Sequence, residues 1–269
     1  MATTSGPAEY RRVAVFGGVY SNAHALHATL DDARARGVEA IFCLGDVGGF
    51  GPHPDRAVAL LRERRVVVIQ GNYDAAVAGG APDCGCGYTD PRDNHFARLS
   101  YAYTLSHTST EHRRWLGALP PAMRVRLGPF GALLCHGSPR AVSEFLWEST
   151  TPDGMLVSML DQATADVLLC THSGIKWHRA LGAHRHAVNV GVIGRPENDG
   201  RTNVWYTILT AAEGRLGVEF VPVAYDHETL GREMQAEGLP AEFVETVRTG
   251  WWTTCLEVLP AKERARGRF

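Results

Sequence analysis

Residues 13–69 alternate between short apolar runs and amphipathic stretches, and this alternation restricts the fold more than any other feature of the chain. Val13-Ala14-Val15-Phe16 is too short for a buried helix and ends at Gly17-Gly18. Over residues 22–36, Leu26 and Leu30 lie one turn apart among five alanines, and Gly37 follows as a stop, which predicts a helix. A second apolar run covers 40–44. A second helix is predicted over 55–64, with Ala57, Leu60 and Leu61 on one face, and a third apolar run covers 66–69. Strand–helix–strand–helix–strand implies parallel strands joined by crossover helices. Ligands of such sheets sit beyond the carboxyl ends of the strands.

Four apolar runs end on a side chain that can bind a cation. The run 40–44 delivers Asp46 through Gly45, and 66–69 delivers Asn72 through Gln70-Gly71. Residues 132–135 end at His136, and 167–171 at His172. A buried carboxylate at a strand end needs a partner, because an unpaired buried charge is very costly. A metal ion held by Asp46, Asn72, His136 and His172 is the simplest one. Two imidazoles, a carboxylate and an amide oxygen suit Zn²⁺, Mn²⁺ or Fe²⁺ better than Ca²⁺ or Mg²⁺.

The rest of the chain reads as follows. Residues 79–93 form a loop rich in Gly, Pro, Asp and Cys. Helices are expected over 94–105, over a short stretch capped at Ser109, over 153–162, and over 227–236 and 241–247. Residues 124–127 alternate as an exposed strand should. Residues 186–190, 203–210 and 216–223 read as strands separated by turns. Residues 1–10 are expected to be a disordered lead and 11–250 one domain, with a loop–helix insertion at 81–121 near the site. Residues 251–269 are expected to be a C-terminal extension. Cys84-Gly85-Cys86 is read as free thiols ahead of a zinc site or a disulfide. The Trp251-Trp252 pair would mark a contact of a homo-oligomer if exposed. A net charge of −2 argues against nucleic acid as a partner. With no apolar run of membrane-spanning length and no signal-peptide core, the expectation is a soluble cytoplasmic protein with a small-molecule substrate.

From Val13 to about residue 250, the order of these segments resembles the calcineurin-like metallophosphoesterases. The likeness is to the bacterial branch of small phosphodiesterases and diadenosine-tetraphosphatase-like proteins. Gly45-Asp46-Val47-Gly48-Gly49 resembles the family's Gly-Asp motif, whose Asp bridges two metals, and Gly71-Asn72-Tyr73-Asp74 its Gly-Asn-His-Asp/Glu motif. His136-Gly137-Ser138-Pro139 resembles its His-Gly-Ser-Pro motif, and residues 189–196 a late Asn-Pro-Gly-Ser segment. The resemblance implies an α/β fold, a four-layer α-β-β-α sandwich of two mixed sheets flanked by helices. The chain also departs from the family. The opening Asp-x-His-Gly-Asn is here Gly18-Val19-Tyr20-Ser21-Asn22. The final Gly-His-x-His aligns with Thr171-His172-Ser173-Gly174. By the family's division of labour, all three exclusive ligands of one metal position are gone, and every ligand of the other remains.

That pattern implies one divalent transition metal (Zn, Mn or Fe) and a hydrolase acting on a phosphate ester or related small molecule. Tyr20 would fill the vacated volume and donate to Asp46 or to substrate. Tyr73, in place of a family His, would assist as a proton or hydrogen-bond donor beside Asn72. Arg140 would meet a phosphate, with Lys176, His178 and Arg195 as further anion contacts. Two alternatives use the same residues. Two His and a carboxylate also make the ligand set of non-haem iron enzymes. A pseudo-phosphoesterase would keep the fold only to bind a ligand or a protein partner.

Overall fold

The computed structural model describes residues 8–268. In chain order its strands are β1 (Glu9–Tyr10), β2 (Arg12–Phe16), β3 (Ala40–Cys43), β4 (Val67–Val68), β5 (Ala122–Leu127) and β6 (Phe130–Cys135). They continue with β7 (Val167–Cys170), β8 (Trp177–Ala180), β9 (His186–Asn189), β10 (Val204–Ala212) and β11 (Arg215–Val223). Helices α1 (Ala23–Ala35), α2 (Pro54–Glu63) and α3 (Asn72–Gly79) lie in the first third. Then come α4 (Pro91–His107), α5 (Thr110–Gly117), α6 (Asp153–Ala163), α7 (His227–Ala236), α8 (Ala241–Thr249) and α9 (Ala261–Arg264).

Two mixed sheets form. One has five strands in the order β11-β10-β2-β3-β4, and the other six in the order β1-β5-β6-β7-β9-β8. As the alternating pattern requires, β2, β3 and β4 are parallel, with Val15 opposite Phe42 and Phe42 opposite Val67. The β10–β11 hairpin closes on Glu213 and Gly214, both at positive φ (50° and 71°), which suits a two-residue turn.

Period-two alternation along the strands creates the layers. Val13 and Val15 of β2 face the second sheet, in a core with Val125, Leu134, Leu169 and Val188. Ala14 and Phe16 face the other way, onto Leu26 and Leu30 of α1 and Val58 and Leu61 of α2. On the far side, Leu133 and Leu168 pack against Leu156 and Leu160 of α6. The result is the four-layer α-β-β-α sandwich expected, with two mixed sheets flanked by helices. Leu134 is fully buried between the sheets, so Leu134→Ala would cost about 2–5 kcal/mol.

Both ends of the described chain pack onto the body. Residues 1–7 of the expected disordered lead lie outside the described residues, but Glu9 and Tyr10 pair with Arg126 and Leu127. The C-terminal segment packs onto the body: Trp252, Leu256 and Leu259 join Trp147 and Ile175 in one apolar cluster. Trp252 is 1% exposed, so it offers no surface to a second copy of the chain. Besides β1 and α9 at the chain ends, two elements were not read from sequence. One is α3, which starts at Asn72; the other is β8, an edge strand of four residues. Among the described residues no helix is long and apolar enough to cross a membrane.

Candidate metal centre

The loops after β3, β4, β6 and β7 bring Asp46, Asn72, His136 and His172 to one edge of the sandwich. Gly45 makes the first approach possible. Its φ is +87°, and a Cβ there would stand 2.3 Å from the Gly71 nitrogen. Asp74 then clamps the two loops. Its Oδ2 accepts from the amides of Asp46 and Gly71, each at 2.8 Å, and its Oδ1 from Val47 at 2.9 Å. Burial, reinforced by the nearby Asp46 charge, pushes the Asp74 carboxyl up to about 6. Asp46 itself takes a left-handed φ of 57°, and its Oδ1 accepts from the Tyr73 amide at 3.0 Å. Tyr20, Phe50 and Cys255 around it are left-handed too, with φ of 49°, 53° and 57°. Such conformations cost of order 1–3 kcal/mol each and cluster where function demands them.

In each of the two imidazoles, His136 and His172, one nitrogen is already engaged. His136 Nδ1 donates to the Leu44 carbonyl at 2.6 Å, and His172 Nε2 donates to the Cys86 carbonyl at 3.2 Å. These carbonyls select the tautomers. The other nitrogens, His136 Nε2 and His172 Nδ1, face each other at 3.1 Å, with Asp46 Oδ2 at 3.3 Å from His136. One ligand atom from each of the three residues lies within 4.8 Å of the others. Two imidazole nitrogens and a carboxylate converging in this way are a candidate site for a cation. Burial raises the Asp46 carboxyl, but His136, then His172 and the Tyr73 amide, bring it below its ordinary value. Burial lowers the His136 imidazole, and Asp46 more than reverses this. Burial and then His136 push His172 down to about 4, which keeps it neutral.

Asn72 is the fourth candidate read from the sequence. Its Nδ2 donates to the Cys84 carbonyl at 2.9 Å and to the Cys86 sulfur at 3.5 Å. That orientation leaves Oδ1 buried with no hydrogen-bond partner. A buried polar atom without a partner costs about 1–3 kcal/mol, and a bound cation removes that cost. The donor set therefore fits a divalent transition metal. Cys84 and Cys86 are joined by a disulfide, which corrects the reading of them as free thiols. Gly85 at φ +60° turns the chain so that their Cα atoms lie 5.3 Å apart. Cys43, Cys135 and Cys170 are buried free thiols.

Tyr20 occupies the volume beside Gly18. A Cβ on Gly18 would stand 2.6 Å from Tyr20 Cζ, and one on Gly194 2.4 Å from Tyr20 Cβ; one on Gly174 would be 3.9 Å from the Tyr20 hydroxyl. No hydrogen bond joins that hydroxyl to Asp46, as the sequence reading had allowed. Burial raises its pKa strongly, so it stays protonated at neutral pH.

Tyr20, Asp46 and His172 line a cavity of about 60 Å³ with Arg195, Cys255 and a wall of Phe50, Phe96 and Phe243. Tyr73 lines it too, but its hydroxyl donates to Ser100 Oγ at 3.0 Å and so is occupied. Arg140 lies elsewhere: it is half exposed, pairs with Glu144 and does not line the cavity. Lys176 pairs with Glu197, and His178 bonds His186. Of the four anion-contact candidates, only Arg195 reaches the site. Sequence reasoning missed Phe50, Tyr88, Phe96, Phe243 and Cys255 as cavity residues. No local pattern distinguishes them, since helices and loops far apart in the chain supply them.

A model of the calcineurin-like phosphoesterase superfamily domain matches residues 12–213. Uncharacterized protein MJ0912 of Methanocaldococcus jannaschii is 26% identical over 246 residues, covering 85% of this chain and 93% of that protein. Two crystal structures share the fold. A metallophosphoesterase from Sphaerobacter thermophilus superposes with a TM-score of 0.67 at 24% identity, covering 90% of this chain and 99% of that one. Hypothetical protein PH1004 from Pyrococcus horikoshii OT3 gives 0.73 at 22%, covering 91% and 100%. With the family model spanning most of its length, the chain belongs to the calcineurin-like phosphoesterase superfamily.

Proposed function

We propose that the protein is a metal-dependent hydrolase of a small phosphate ester, working with one divalent transition metal, Zn, Mn or Fe. Asp46, Asn72, His136 and His172 would hold the ion. The observation that carries this reading is the convergence of two imidazole nitrogens and the Asp46 carboxylate, with Asn72 Oδ1 buried and unpartnered. When bound, the ion polarises a phosphoryl oxygen and lowers the pKa of water. The Leu44 and Cys86 carbonyls keep the two imidazoles oriented as nitrogen donors. Tyr20, protonated at neutral pH, supports charge on a phosphoryl oxygen as a hydrogen-bond donor. Tyr73 contributes its amide to Asp46 and its ring to the cavity wall. The aromatic wall limits water and strengthens these interactions. At about 60 Å³ the cavity is small beside the roughly 300–1,000 Å³ of sites that enclose drug-sized ligands. The reading therefore has the phosphoryl group enter and the rest of the ester stay outside.

The test is metal analysis of protein purified without added metal, with turnover of p-nitrophenyl phosphate and its diester. A single equivalent of Zn, Mn or Fe, and turnover lost on chelation and in His136→Ala, are expected. Iron with oxygen-dependent activity and no ester turnover would instead support the non-haem iron reading. Absence of metal, with ligand binding unchanged in His136→Ala, would support the pseudoenzyme.

A further inference from the structure

We infer that Arg195 forms an oxyanion subsite next to the candidate metal centre, suited to a tetrahedral anion such as a phosphoryl group. It would supply positive charge on the side where Gly18, Tyr20 and Gly174 stand in place of the family's metal ligands. Only the identity of the anion rests on the phosphoester reading.

Arg195 is 7% exposed, yet it pairs with no Asp or Glu among the described residues, and no protein oxygen accepts a hydrogen bond from it. Its Nε is buried without a partner. The groups that face it are the Cys255 sulfur, which takes a side-chain hydrogen bond from it, and the Tyr20 and Tyr88 hydroxyls, which burial keeps protonated and uncharged at neutral pH. Two other well-covered cations have acidic partners: Lys176 has Glu197, and Arg179 has Asp153 together with the Thr151 carbonyl. A buried guanidinium without a counter-ion is costly, and it lines the same cavity as Tyr20, Asp46 and His172.

Its position is held from both sides. The guanidinium carbon lies 3.6 Å from the Trp252 ring centroid, and 5.9 Å from each of the Tyr20 and Phe50 rings. Trp252 is tied back to the same loop: its Nε1 donates to the Pro196 carbonyl at 2.6 Å, and its amide to Asn198 Oδ1 at 2.8 Å. Gly194, next to Arg195, lets that loop press against Tyr20, since a Cβ there would overlap the ring. A stacked, pre-positioned guanidinium whose Nε has no partner is an arrangement suited to phosphate oxygens. The cavity, at about 60 Å³, matches a small anion and not a large ligand.

Inorganic phosphate is the probe, titrated by calorimetry and by Trp fluorescence into the full chain with chelator present. Wild type is expected to bind it. Arg195→Met, which keeps the stem on Trp252, should bind ~10–100-fold more weakly. Arg195→Lys, which keeps the charge but not the fork, should bind at least ~3-fold more weakly. No binding by wild type, or folded Arg195→Met with wild-type affinity, overturns the inference. If Arg195→Met does not fold, Arg195→Lys decides by the same comparison. Metal content and ester turnover of wild type separate the two readings. Intact metal and turnover with Arg195-independent phosphate binding overturn this inference alone. Arg195-dependent phosphate binding without metal or turnover overturns the proposed function alone.

Discussion

Gly18→Ala tests whether Tyr20 truly fills the space beside Asp46. The added Cβ would stand 2.6 Å from Tyr20 Cζ, 2.8 Å from Tyr20 Cε1 and 2.6 Å from Val192 Cγ1. Contacts that short force side chains to move, which typically costs about 1–3 kcal/mol in a packed interior. Gly18 also has a φ of +37°, and a side chain in the left-handed region adds roughly 1–2 kcal/mol. The expected loss is therefore about 2–5 kcal/mol. In a Tyr20→Ala background the ring contacts vanish and only the Val192 contact and the backbone term remain, so the same substitution should cost at least ~1 kcal/mol less. Urea denaturation of the four proteins of this double-mutant cycle, with chelator present, reads the coupling directly. A Gly18→Ala protein within ~0.5 kcal/mol of wild type would refute the packing described here. So would a cost that Tyr20→Ala leaves unchanged.

Asn72→Leu fills similar volume but removes the unpartnered Oδ1, and should weaken Zn²⁺ binding more than ~10-fold by calorimetry; unchanged affinity would remove Asn72 from the ligand set. Replacing both Cys84 and Cys86 by Ser frees the loop whose carbonyls hold His172 Nε2 and Asn72 Nδ2. Metal affinity should then fall by up to ~10–100-fold while the melting curve of the body changes little. Asp55 accepts from the Ser109 amide at 3.0 Å and pairs with His112 at 2.7 Å; burial raises its pKa, but these partners bring it below its ordinary value. Stability from such a depressed carboxylate is full above its unfolded pKa of ~3.9 and is lost as pH falls through the folded value. Asp55→Ala should therefore cost under ~1 kcal/mol at pH 7, because the pair is partly exposed, and nothing once the pH is below the folded value. A cost that persists in acid would point to lost packing instead.

Much of the fold was legible because the strands are short and the periodicity is strict. The run 40–44 became β3, the helix pattern over 22–36 became α1, and α7 spans the residues expected, His227–Ala236. The missed elements lack such signals. Helix α3 has almost no amphipathic face, and its start is set by Asp74 reaching back to the Gly71 amide. The disulfide depends on the turn at Gly85, which spacing alone does not reveal. Arg140 and Arg195 look alike in a sequence. Arg140 pairs with Glu144 four positions on, and Arg195 forms no ion pair among the described residues.

By itself, the sequence determined the layered α/β scaffold and the four strand ends that carry Asp46, Asn72, His136 and His172. Local periodicity and motif spacing are properties of neighbouring residues along the chain. Only the tertiary structure decided what stands opposite Asp46. Tyr20 fills the space beside Gly18, the ring of Trp252 arrives from the C-terminal segment to support Arg195, and α4 and α8 close the aromatic wall. These contacts join residues as far apart in the chain as Phe50 and Phe243, so they depend on how the layers pack and leave no trace in any local pattern.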